Sequence, residues 1–72
     1  MSRRRRLTSS EVISILRSHG FLLISQKGSH QKWNHPGIGK QVIVPFHKGQ
    51  VLPIGTLMAI QRGSGIPDDA WR

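Results

Sequence analysis

The chain has 72 residues, with eleven Lys or Arg against three acids, a formal net charge of +8 at pH 7, and no cysteine. That length fills one domain with a thin core. The lack of cysteine excludes disulfides and thiol chemistry and fits a reducing, cytoplasmic setting, and no stretch approaches the ~20 apolar residues of a membrane span. Four of the charges form the run Arg3–Arg6; the remaining seven bases and all three acids leave residues 7–72 at +4. A body that is basic without its basic run suits a polyanionic partner, most simply nucleic acid. Residues 1–7 read as a basic arm. Leu7 is followed by Thr-Ser-Ser-Glu rather than an apolar run, so the arm is not expected to be a signal peptide.

Thr8-Ser9-Ser10-Glu11 has the spacing of a capping box, with Thr8 as N-cap. It predicts a helix to about His19 with Val12, Ile13 and Leu16 as its buried stripe and Ile15 at the edge, ended by Gly20. Phe21 to Gln26 reads as a first strand, Lys27–Ser29 as a turn and His30 to Asn34 as a second strand. His35-Pro36-Gly37-Ile38-Gly39 is a breaker-rich turn before a third strand, Gln41-Val42-Ile43-Val44, which Pro45 ends. Phe46 to Leu52 is a loop. Pro53 suits the first turn of a second helix through about Arg62, with Ile54, Leu57, Met58 and Ile60 as its apolar stripe and Gly63 and Gly65 as its stop. The tail, residues 67–72, has room for one further turn.

The order helix, three strands, helix predicts an α+β, two-layer α-β-β-β-α domain: a three-stranded antiparallel sheet with two helices on one face. The first and third strands are apolar at consecutive positions, which leaves Leu22 or Ile24, and Ile43, partly uncovered on the other face. Either a partner or a flanking loop is expected to cover them, and a homodimer or a heterocomplex are both open.

Lys27-Gly28-Ser29-His30 places an imidazole at a hairpin between two cations, Lys27 and Lys32. Histidine exchanges a proton near neutral pH, and lysines hold phosphate. This is the equipment of a small metal-free ribonuclease, although one histidine in a turn, taken alone, is ordinarily a polar hairpin residue. Lys48 and Arg62 are weaker candidates for phosphate contact. His47 reaches the hairpin only if its loop curls back. His19 and His35 read as a helix-end and a turn residue. No two histidines share the spacing of a ligand pair on one element, so no zinc site is expected. Trp33 either stacks a base or packs against a helix, and Trp71 either lids the core or hangs free.

Four segments in register resemble the HicA toxins of bacterial type II toxin–antitoxin systems. They are Ser18-His19-Gly20-Phe21, Lys27-Gly28-Ser29-His30, Val42-Ile43-Val44-Pro45-Phe46-His47, and Gly55-Thr56-Leu57 with Ile60 and the Gly65-Ile66 close, together spanning about residues 8–66. The resemblance implies a fold like the double-stranded-RNA-binding domain, a toxin that cleaves mRNA, and a HicB-type antitoxin that blocks its site; with a histidine as the base, no cofactor is expected. It places the catalytic histidine at His30. Lys27, Gly28, Ser29, Lys32 and His47 are the expected substrate-binding residues. Family members often carry two consecutive histidines in the hairpin motif; here Gln31 follows His30. A non-catalytic RNA-binding module of the same fold, or an inactive toxin homologue, is the competing expectation.

Overall fold

Residues 6–72 are described by the structure, a computed structural model; of the basic arm, residues 1–5 lie outside them. The first helix starts where the capping box puts it. The Thr8 hydroxyl accepts the Glu11 N–H at 3.2 Å and the Glu11 carboxylate accepts the Thr8 N–H at 2.8 Å. Helix α1 runs Ser9–Ser18 with Val12, Ile13 and Leu16 buried, and His19 caps it before Gly20. Phe21 belongs to the core rather than to a strand: it is fully buried, and its N–H donates to Leu16 O at 3.0 Å.

Strands β1 (Leu22–Lys27), β2 (His30–His35) and β3 (Lys40–Pro45) form one antiparallel sheet in the order β1-β2-β3. Leu23 pairs with Trp33 and Ser25 with Lys32, so Ile24 is the extra residue of a β-bulge. Because side chains alternate across a strand, Gln31 and Trp33 face the helices while His30 and Lys32 face away. Val42 and Val44, across the β2–β3 ladder, share the helix side with Trp33. Trp33 is therefore core and does not stack a base: its indole is buried, with the Arg17 guanidinium 5.3 Å from the ring centroid on the outside.

Helix α2 runs Ile54–Ser64 after Pro53, two residues longer than expected. Gly63 does not stop it. A Cβ at Gly63 would lie 3.2 Å from Val42 Cγ1, so the missing side chain lets the helix lie close on β3. Gly65, left-handed at φ 70°, ends the helix instead. The apolar stripe also differs from the expected one. The buried positions are Leu57, Ile60, Gln61 and Ser64, at i, i+3, i+4 and i+7, whereas Ile54 is exposed and Met58 only half-buried. Two of the buried positions, Gln61 and Ser64, are polar. The Ser64 hydroxyl is satisfied locally, donating to Gln61 O at 2.9 Å and accepting the Ile66 N–H at 3.2 Å.

The core is closed at its ends by residues far apart in the chain. Leu7 is fully buried, its carbonyl accepts the Leu52 N–H at 2.8 Å, and Thr8 bridges to Val51. A 3-10 turn, Asp68–Trp71, lays Trp71 over the core with its indole N–H donating to Ile66 O at 3.4 Å. Both helices pack on one side of the sheet, chiefly over β3. Edge strand β1 is exposed along its whole length, and Leu22, Ile24 and Ile43 stay 60, 56 and 44% exposed. Among the described residues no helix is long and apolar enough to cross a membrane.

Candidate active site

The β1–β2 hairpin closes on the pair Lys27–His30, with Gly28 and Ser29 as its two-residue loop. Gly28 sits at φ 60°, and no described non-glycine residue has a positive φ. This is the pattern of a type II′ turn, which takes glycine at its first central position and matches the twist of the strands it joins. Both loop carbonyls are held. Gly28 O accepts from Gln26 Nε2 at 3.1 Å, and Ser29 O accepts the Phe46 N–H at 2.6 Å, which ties the loop to the end of β3.

The turn delivers His30 to the sheet face that no helix covers. There it lines a shallow depression of about 370 Å³ together with Ser25, Lys27, Lys32 and Ile43. The ladder explains the grouping: Lys27 is paired with His30, Ser25 with Lys32, and Lys32 with Ile43, so all five side chains leave the sheet on one side. Three of the five are basic. The acids are elsewhere: Glu11 caps α1, and Asp68 and Asp69 belong to the C-terminal 3-10 turn. An imidazole flanked by two ammonium groups in an open depression can hold a phosphodiester and exchange a proton with a hydroxyl beside it.

Lys27, His30 and Lys32 are thus brought together, with Gly28 and Ser29 as the turn beside them. His47 is not brought in. It lines a second depression, of about 270 Å³, with Ser9, Pro45, Gln50, Val51, Leu52, Pro53 and Thr56, and the two depressions share no residue. Its N–H lies 3.4 Å from Ser9 Oγ, itself a donor to Pro45 O at 2.8 Å. Neither Lys48 nor Arg62 lines the His30 depression. His19 is a helix-end residue with Nδ1 3.0 Å from Ile15 O. His35, expected in the turn, is instead the last residue of β2, paired with Lys40; its Nδ1 accepts the Gly37 N–H and its ring meets Phe21 edge-on at 5.4 Å between centroids. Among the described residues no group of three or more His, Cys, Asp or Glu is placed to hold a metal ion.

Gln31 stands behind the sheet. Its side chain is on the helix side, where Oε1 accepts from Trp33 Nε1 at 3.1 Å and Nε2 donates to Gln26 Oε1 at 3.3 Å. Ser25 and Ile43 were not anticipated as part of the site. Their membership follows from pairing register: Ser25 is opposite Lys32 across the β1–β2 hairpin, and Ile43 is opposite Lys32 across the β2–β3 ladder.

The sequence profile of the family described as the HicA toxin of bacterial toxin-antitoxin matches residues 9–66, from the first residue of α1 to the segment just past α2. A search of curated proteins found no match. The profile match spans both helices, the whole sheet and the hairpin that carries His30. By that match, the chain belongs to the HicA toxin family of bacterial toxin–antitoxin systems.

Proposed function

We propose that this toxin is an endoribonuclease that cleaves mRNA in the cytoplasm without a metal ion, with His30 as its proton carrier. The observation that carries the reading is the grouping of His30 between Lys27 and Lys32 in one open depression on the uncovered sheet face. RNA supplies its own nucleophile. The His30 imidazole removes the 2′-hydroxyl proton, the oxygen attacks the adjacent phosphorus, and the bond from phosphorus to the 5′-oxygen breaks as that oxygen takes a proton from solvent water. The products are a 2′,3′-cyclic phosphate and a 5′-hydroxyl. Lys27 and Lys32 hold the phosphate, and the side-chain-free Gly28 with Ser29 lets the RNA backbone come close to the turn. His47, in its separate depression, contacts the strand further along rather than sharing the proton transfer.

The partner of this toxin is a HicB-type antitoxin seated on the same sheet face, where Leu22, Ile24 and Ile43 offer aliphatic surface beside the cations. A second copy of the chain is the poorer occupant, since it would set Lys27 and Lys32 against their own likenesses.

His30→Ala is expected to lower the cleavage rate by about 10²–10⁴-fold, with RNA affinity kept. The assay follows a defined RNA in EDTA and identifies the ends of the fragments. Loss of cleavage in EDTA, or 5′-phosphate ends, would overturn the mechanism. A wild-type chain that binds RNA and never cuts it would identify a binding module or an inactive homologue.

A further inference from the structure

On the helix side of the hairpin, three side-chain hydrogen bonds run in series. Trp33 Nε1 donates to Gln31 Oε1 at 3.1 Å, Gln31 Nε2 donates to Gln26 Oε1 at 3.3 Å, and Gln26 Nε2 donates to Gly28 O at 3.1 Å. Each amide accepts at its oxygen and donates at its nitrogen, so the series has one direction. It begins at a buried indole and ends on the central peptide of the turn. Gln26 and Gln31 are themselves a cross-strand pair, adjacent to the Lys27–His30 pair that closes the loop.

The last link has a conformational meaning. Type II′ and type I′ turns share the sign of φ at the first central residue and differ by a flip of the peptide between the two central residues. That peptide is Gly28–Ser29, and its carbonyl is the group Gln26 holds. A flip would turn the carbonyl away from Gln26 and re-aim the chain as it enters β2 at His30. The core anchors the other end. Trp33 is packed under α1 with Arg17 across its ring, and Gln31 is 9% exposed, so the series is shielded from competing water at its Trp33 end, while its last bond, to Gly28 O, is exposed.

We propose that Gln26 and Gln31 are positioning residues, and that the series Trp33–Gln31–Gln26–Gly28 locks the hairpin so that the His30 ring stands at a fixed place over the depression. This rests on the ribonuclease reading for its catalytic consequence, since a small misplacement of a proton carrier slows chemistry more than it weakens binding. Neither glutamine touches RNA: both are on the far side of the sheet from Lys27, His30 and Lys32.

The test uses the full chain and three variants, Gln26→Met, Gln31→Met and the double variant. Gln26 is exposed, so its replacement by a side chain of similar length and no donor leaves the core intact. The expected result for Gln26→Met is a kcat about tenfold lower with KM and melting temperature unchanged, a split that general destabilisation would not produce. Because the bonds are in series, the double variant is expected to lose no more than the larger single loss. A wild-type kcat in Gln26→Met overturns the proposal, as do losses that multiply in the double variant. NMR signals of the Gly28 and Ser29 amides and of the His30 ring supply an arm independent of cleavage: they shift in Gln26→Met if the series holds the turn and stay in place if it does not. Should the wild type cut no RNA, the ribonuclease reading falls, while these signals still decide whether Gln26 fixes His30.

Discussion

Successive side chains of β2 leave the sheet on opposite sides, and this separates two residues that the sequence sets side by side. His30 faces the open depression, whereas Gln31 joins Trp33 and Gln26 behind it. A second histidine at position 31 would stand on the helix side, away from the phosphate that Lys27 and Lys32 are proposed to hold, so the presence of glutamine there takes nothing from the proton transfer proposed for His30. At the same scale, Thr8 makes a clean test of what local spacing contributes to stability. Thr8→Ala removes the acceptor of the Glu11 N–H and is expected to cost about 1 kcal/mol, seen in urea as a lower midpoint with an unchanged slope; an unchanged midpoint would mean that the Thr8–Val51 bridge and the Leu7–Leu52 bond alone fix the helix start. The cap was legible because a capping box lies within four residues. So was the turn, since Gly28 and Ser29 have few other ways to join two strands. The role of Trp33 was not legible, because an aromatic on a strand faces core or solvent according to a register that its neighbours in sequence do not set.

Among the elements, β1 is the one whose pattern the packing leaves unexplained. All six of its residues are exposed, and three in a row are aliphatic, Leu22, Leu23 and Ile24. Both helices lie chiefly over β3, and the bulge at Ile24 disturbs the alternation that would otherwise send every second side chain toward them. The expectation of an uncovered apolar face holds for this reason, and the proposed antitoxin supplies the cover. Leu22 pairs with Asn34 at the far end of the ladder from His30 and does not line its depression, so it separates the two roles proposed for this face. Leu22→Ser is expected to weaken antitoxin binding by about ten- to a hundredfold while RNA cleavage stays at the wild-type rate. Titration calorimetry and the cleavage assay read the two effects, and unchanged antitoxin affinity would remove β1 from that interface. Helix α2 shows the opposite limit of sequence reading. Gly63 looked like a stop because glycine weakens helices, yet here it is a point of contact with Val42. Whether a glycine ends a helix or admits a neighbour depends on the neighbour, which is about twenty residues away in the chain.

Over the whole molecule, charge and closure are the properties that matter. The net charge of +8 predicts RNA affinity that falls steeply with salt, and the proposed site assigns part of that slope to named residues. Lys27→Ala and Lys32→Ala are each expected to lower the slope of log affinity against log salt by about 0.7, the value for one phosphate of a single strand. A slope equal to the wild type in either variant would remove that lysine from phosphate contact. The element order was legible from capping, turns and apolar runs, each a short-range signal. How the core shuts was not, because Leu7, Leu52 and Trp71 join one core from three distant stretches of the chain. That closure also determines how the protein can be watched. The chain has two tryptophans and no tyrosine, and both indoles are buried with their N–H groups bonded, Trp33 to Gln31 and Trp71 to Ile66. Trp33 sits behind the sheet and Trp71 over the core, each away from the His30 depression. Intrinsic fluorescence therefore reports unfolding through a red shift of two sheltered indoles and stays nearly silent when RNA occupies the open face, so folding can be followed without a label in the presence of the substrate.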